Sequence, residues 1–201
     1  EDYCKTPTLG TAFAFITMAL DANLHEMNSE SGYLSYIATR PRAERFGSHG
    51  LFTDDGVAVD LQKVSDELNA HTGNVRTAIV SLRREDAERL GFDNGSRWRD
   101  MLRSQAQTLS ENLRIPMSNL RWFAAFHNES HHPHIHLIAY SANPSEGYLS
   151  EKGVMALRSS FAKDIFAQDL LCEYKKQTEH RDALKMQSRE VLAEIMAKIN
   201  G

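Results

Sequence analysis

Residues 127–136 read HNESHHPHIH, which places five of the chain's nine histidines within ten positions. A neutral imidazole offers one lone pair to a metal and one N–H to a supporting acceptor, so the spacing of these rings decides what chemistry they can do. Side chains two apart on a strand share a face, and the run IHLIAYS (Ile135 to Ser141) has strand composition. His134 and His136 are therefore expected side by side, out of phase with Ile135. The preceding run RWFAAF (Arg121 to Phe126) also reads as a strand, and a six-residue return between the two would set His127 against them across a hairpin. The pattern H-x6-H-x-H then gives three converging nitrogens and leaves open coordination positions, as a catalytic metal site requires. His131 and His132, in the turn before Pro133, are expected to be loop residues. The competing reading of any single histidine here is a hydrogen-bonded core residue or a solvated loop residue, but short His-rich tracts signal metal, and this one has ligand spacing too. The internal position and mixed sequence exclude a purification tag.

The hairpin needs a sheet to hold it and helices to cover it. NVRTAIVSL (Asn74 to Leu82) alternates Val75, Thr77 and Ile79 with Arg76, Ala78 and Val80, as a half-buried strand does, and AFAFITMAL (Ala12 to Leu20) reads as a core strand. Helical spacing of apolar residues marks Val59 to His71, then Ser96 to Leu113 through Trp98, Met101, Leu102, Leu109 and Leu113. A further helix is expected from about Glu151, with Leu157, Phe161, Ile165, Phe166 and Leu170 on one stripe, and a C-terminal helix over 177–201. These elements imply one α+β domain across residues 1–201, a central antiparallel sheet flanked by helices. The segment Thr39 to Gly56, with Pro41, Gly47, Gly50 and Gly56, is read as a loop.

Composition narrows the class. With 41% hydrophobic and 25% charged residues the chain falls among globular proteins, and its longest apolar run is far shorter than the roughly 20 residues that cross a bilayer. No membrane insertion is expected. Two cysteines without metal spacing suit a reducing, cytoplasmic compartment and exclude a zinc–thiolate site. The formal charge of −4 argues against broad, sequence-blind duplex binding, yet arginines gather at Arg40, Arg42 and Arg45 and at Arg83 and Arg84. Phosphate positioning is arginine work, so these five are the expected DNA contacts, with Phe46 or Phe52 as platforms for stacked bases. Because the chain opens on Glu1 and stops after an amphipathic segment, it is expected to be a piece of a longer protein.

HNESHHPHIHL resembles the third motif of conjugative and mobilisation relaxases, the HUH endonucleases, written H-x-D/E-x4-H-x-H, with Glu129 where many members carry Asp. The resemblance extends through YLSYIATRPRAERFGSHGLF and GNVRTAIVSLRREDAERLGFD to about Arg181, and is greatest to the MobP group of Gram-positive mobile elements. It implies a palm-like sheet and a relaxase that nicks one strand at the origin of transfer of a plasmid or integrative element. It also implies attack by a tyrosine hydroxyl on a phosphodiester, leaving a 5′-phosphotyrosine link. The nucleophile implied is Tyr36 in YIATRP, with Tyr33 in reserve; the metal ligands are His127, His134 and His136. Glu129 would orient a ligand histidine or accept the phenolic proton. The resemblance implies Mn²⁺ or Mg²⁺ as cofactor, whereas imidazole ligation alone suits Mn²⁺, Zn²⁺, Ni²⁺ or Co²⁺ better than Mg²⁺. The partners implied are single-stranded origin DNA, relaxosome accessory proteins and a coupling protein.

Three other readings share some of these residues. A rolling-circle replication initiator would use paired histidines and a tyrosine. A non-enzymatic metal- or DNA-binding module would keep the metal and form no covalent adduct, and a metal hydrolase would use water as its nucleophile. The tyrosine separates them.

Overall fold

The computed structural model describes residues 17–21 and 30–199. In chain order the elements are β1 (Thr17–Asp21), α1 (Glu30–Thr39), β2 (Leu51–Phe52), α2 (Leu61–Ala70), β3 (Val75–Ser81), α3 (Arg84–Leu90), α4 (Gly95–Ser104), α5 (Ala106–Leu113), β4 (Leu120–His127), β5 (His134–Ser141), α6 (Glu151–Ile165) and α7 (Ala167–Ile199). The strands form one sheet in the order β1-β3-β5-β4-β2, each neighbouring pair antiparallel. The α+β architecture expected from the sequence is the one observed. The first part of AFAFITMAL, Ala12 to Ile16, lies outside the described residues.

Strand alternation divides the core in two. On one face Ala78, Val80, Trp122, Ala124, Phe126, Ile135, Leu137 and Ala139 pack under α4, α5 and α6 through Trp98, Met101, Leu109, Leu157 and Phe161. On the other, Val75, Phe123, Ala125, Ile138 and Tyr140 meet Leu34, Ile37 and Ala38 of α1 and Val64 and Leu68 of α2. His127, His134 and His136 are in phase with this second set, so the face that carries the candidate ligands is the face covered by α1. Side-chain caps fix several helix starts: Asp60 accepts from Lys63 N, Asn94 from Arg97 N and Ser150 from Gly153 N.

Three expectations change. The stretch Ser96 to Leu113 is two helices, because the chain breaks at Gln105, whose side-chain amide donates to Asp164 while its oxygen accepts from Ser160. The C-terminal helix begins at Ala167 rather than near residue 177 and runs unbroken to Ile199. The loop from Thr39 to Gly56 contains β2, which pairs Leu51 with Ala125 and Phe52 with Ala124. Phe52 is buried in that pairing, and Phe46 packs on it with ring centroids 4.8 Å apart, so both belong to the core and not to a base-stacking surface. Among the described residues no helix is long and apolar enough to cross a membrane.

Gly73, between α2 and β3, sits against the loop that follows β5. A Cβ there would lie 2.4 Å from the Pro144 carbonyl oxygen, a backbone atom that cannot move aside alone. Gly73→Ala is expected to destabilise the fold by about 1–3 kcal/mol, as overpacking does. The measurement is urea unfolding, and the expected result is a lower midpoint at an unchanged slope.

Candidate metal centre

Pairing between β4 and β5 places His127 directly opposite His134, with His136 one pleat further along opposite Ala125. The return between the strands is residues 128–133. Ring centroids are 5.2 Å apart for His127 and His134, 4.6 Å for His127 and His136, and 5.1 Å for His134 and His136. One ring nitrogen from each lies within 4.8 Å of the others. The geometry read from the spacing H-x6-H-x-H is thus present in three dimensions.

Each imidazole has its second nitrogen engaged. His127 Nε2 is 2.8 Å from the Ile37 carbonyl oxygen, and His134 Nδ1 is 2.8 Å from the His132 carbonyl oxygen. A carbonyl only accepts, so these two nitrogens carry the protons and His127 Nδ1 and His134 Nε2 carry lone pairs. His136 Nδ1 is 3.0 Å from the Tyr33 hydroxyl. The opposite nitrogens of the two most buried rings, His127 Nδ1 and His136 Nε2, have no hydrogen-bond partner. An unpaired buried polar atom costs about 1–3 kcal/mol, and two side by side are unfavourable unless something occupies the space between them. A divalent metal ion fits this donor set: three imidazoles, each oriented through its far nitrogen by a carbonyl or a hydroxyl.

Burial favours the neutral form of two of the rings, His136 and His127. Desolvation, reinforced by the positive charge that His127, His134 and Arg40 would place nearby, lowers the His136 pKa to about 3. His127 is lowered first by desolvation as well, against the favourable bond to Ile37. Both are therefore in the ligating form at neutral pH.

The two candidate tyrosines occupy different sides of α1. Tyr33 reaches the triad through its hydroxyl, in line with Leu34, Ile37 and Ala38, the buried stripe of the helix. Tyr36 is 49% exposed, and the Arg40 guanidinium lies 5.3 Å from its ring centroid. Glu129 is bonded to arginines and not to a histidine or tyrosine of the site. Its carboxylate accepts from Arg42 Nη1 at 2.6 Å and lies 3.7 Å from Arg40 Nη2, and the Arg42 bond holds its pKa below the usual carboxylate range. A carboxylate so engaged is a weak proton acceptor. Arg42 itself has a left-handed backbone, φ +74°, which Asn128 N stabilises by donating to the Arg42 carbonyl at 3.0 Å. Arg45 and Arg83 are exposed, whereas the Arg84 side chain is turned onto the hairpin return. The Ile37 and His132 carbonyls could not be foreseen from residue type, since backbone acceptors leave no mark in it.

A cross-strand histidine triad on an antiparallel sheet, facing a helix that carries tyrosine, defines the class. The family profile of the MobL relaxases matches residues 8–200, and the chain belongs to that family of relaxases, enzymes that nick DNA. The expected resemblance to mobilisation relaxases is borne out at family level. Searches of curated proteins and of solved structures found no match.

The buried imidazoles tie stability to pH. The folded-state value of His136, about 3, lies below the ordinary imidazole value of 6.5, so its contribution is complete above about pH 6.5 and is lost as pH falls toward 3. In chelator, the protein is expected to lose stability across that window with a slope of up to about 1.4 kcal/mol per pH unit for each buried imidazole. Urea unfolding at several pH values checks this: His136→Gln should flatten the slope, and an equal slope in the variant would show that His136 is not held neutral.

Proposed function

We propose that the protein cleaves one strand of DNA at the origin of transfer of a plasmid or integrative element by direct attack of a tyrosine hydroxyl. Tyr33 is the nucleophile, and a divalent cation is held by His127, His134 and His136. The observation that carries this reading is the 3.0 Å contact between the Tyr33 hydroxyl and His136 Nδ1, the far nitrogen of a ring whose Nε2 is buried and unpaired in the triad.

Once the Nε2 lone pair is committed to the centre of the triad, the His136 proton resides on Nδ1 and is donated to the Tyr33 oxygen. A donor to that oxygen favours the phenolate over the phenol. Tyr33 Oη forms the bond to phosphorus as the bond from phosphorus to the 3′ oxygen breaks. The phenolic proton passes to solvent, and the departing oxygen takes a proton to become a free 3′ hydroxyl. The products are a 5′-phosphotyrosine and a 3′-hydroxyl end. Bound at the triad, the cation would offset charge developing on the non-bridging phosphate oxygens; Mn²⁺ or Mg²⁺ is the expected ion, and Zn²⁺, Ni²⁺ or Co²⁺ also suits the donors.

Arg40 and Arg42, beside the triad and restrained by Glu129, are placed to receive the phosphate, and exposed Arg45 and Arg83 to follow the flanking strand. Glu129 in this reading positions the two guanidinium groups and takes no proton. Tyr36 remains the alternative nucleophile, since its exposed ring lies beside Arg40.

The test uses a labelled single-stranded oligonucleotide carrying the element's own origin, with Mn²⁺, resolved by denaturing electrophoresis. Wild type should yield a slow-migrating covalent band, and Tyr33→Phe should reduce it by at least about 1,000-fold, as loss of a nucleophile does. A band that persists in Tyr33→Phe and disappears in Tyr36→Phe would move the nucleophile to Tyr36. Cleavage with no covalent band in wild type would mean that water attacks and would remove the tyrosine mechanism.

A further inference from the structure

The return between β4 and β5 has six residues and no regular hydrogen bonding of its own, yet it must hold His127 and His134 face to face. A short hairpin return with Ser130 and two histidines before Pro133 has little intrinsic preference for one shape. The residue that supplies the shape comes from outside the hairpin. Arg84, the first residue of α3, directs its side chain onto three consecutive positions of the return. Nε donates to the Ser130 carbonyl at 3.1 Å, and Nη2 donates to Asn128 Oδ1 at 2.7 Å and to the Glu129 carbonyl. Its backbone N–H donates to the His131 carbonyl at 3.1 Å, and Leu82 N donates to the Pro133 carbonyl at 3.1 Å just upstream. Four successive residues between the ligand histidines are thus fixed to one arginine.

We propose that Arg84 is a positioning residue for the metal centre, holding the return in the conformation that brings His127 and His134 together, and that it is not a DNA phosphate ligand. The inference rests on the metal reading given above. Its side chain is 22% exposed, and its donors face carbonyl and amide acceptors of the return. Geometry explains the choice of arginine. The guanidinium is a rigid planar fork that can serve several acceptors spaced along a backbone, whereas a lysine ammonium is a point charge on a flexible stem. A phosphate contact would tolerate lysine; a three-acceptor brace would not. Arg42, on the other flank, holds the Glu129 carboxylate and accepts from Asn128 N, so the return is gripped from both sides, with the Arg84 side the more enclosed.

The experiment measures Co²⁺ binding to the full chain without DNA, by titration calorimetry and by the intensity of the visible Co²⁺ absorption band, for wild type and Arg84→Lys. In parallel, single-stranded DNA binding is measured in chelator as a function of salt. Arg84→Lys is expected to bind Co²⁺ about 10–100-fold more weakly, the range for lost outer partners of metal ligands, with an altered band and an unchanged salt dependence of DNA binding. Asn128→Ala, which removes one acceptor, should lower affinity several-fold in the same direction and serves as the test if Arg84→Lys does not fold. Unchanged Co²⁺ affinity and band in the folded variants, with wild type binding the ion, would overturn this inference alone. A wild type that binds no Co²⁺ would overturn the metal reading and this inference together.

Discussion

Register between β4 and β5 ties the hydrophobic core and the histidine triad to one set of backbone hydrogen bonds. His127 faces His134 because Phe126 faces Ile135 and Phe123 faces Ile138, and each of those pairs is buried on its own side of the sheet. A slip of one residue would exchange the two faces of a strand, sending Phe126 toward α1 and His127 into the apolar layer under α4. Apolar burial, worth roughly 25 cal/mol per Å², therefore sets the arrangement of the three histidines. The triad is a by-product of correct packing, and the tolerance for error in it is set by the core.

The same sheet also assigns different work to its faces. The face under α4, α5 and α6 is apolar through Ala78, Val80, Trp122, Ala124, Phe126, Ile135, Leu137 and Ala139. The face under α1 and α2 is apolar toward Val75 and Tyr140 and polar at the opposite end, where desolvation lowers the pKa of His127 and His136. Just outside that polar end stand Arg40 and Arg42, held by one carboxylate and by a strained backbone at Arg42. Imidazoles inside and fixed positive charge at the rim give an end of the sheet that attracts an anion.

Much of this was legible in the chain. Alternation in RWFAAF and IHLIAYS, with histidines in phase, is enough to place the triad, because strand geometry has period two and little freedom. Helix α1 held a further signal: Tyr33, Leu34, Ile37 and Ala38 share one arc of a 3.6-residue helix and Tyr36 does not, so the tyrosine in line with the apolar stripe is the one facing the sheet. Other features depend on tertiary contacts that periodicity does not report. The break at Gln105 follows from Asp164 and Ser160, some 55 to 60 positions away in the chain. Strand β2 is two residues long and exists only because β4 offers an edge. Arginine clusters are similarly ambiguous, since nothing in the pair Arg83 and Arg84 marks Arg84 as the one whose guanidinium serves the hairpin return.

Strand β5 is paired on both sides, by β3 and β4, whereas α1 lies over the sheet and meets it through side chains, the His127 ring bond to the Ile37 carbonyl and a bond from Gly50 N, just before β2, to the Ala38 carbonyl. Amides in a doubly paired central strand exchange through opening of the whole fold, and a helix resting on a sheet can lift in a smaller, cheaper opening. Lifting α1 would withdraw the Tyr33 hydroxyl from His136 and the Ile37 carbonyl from His127 in the same motion, because the two residues are one helical turn apart. The Tyr33 hydroxyl and the carbonyl that fixes the His127 tautomer would therefore arrive and leave together.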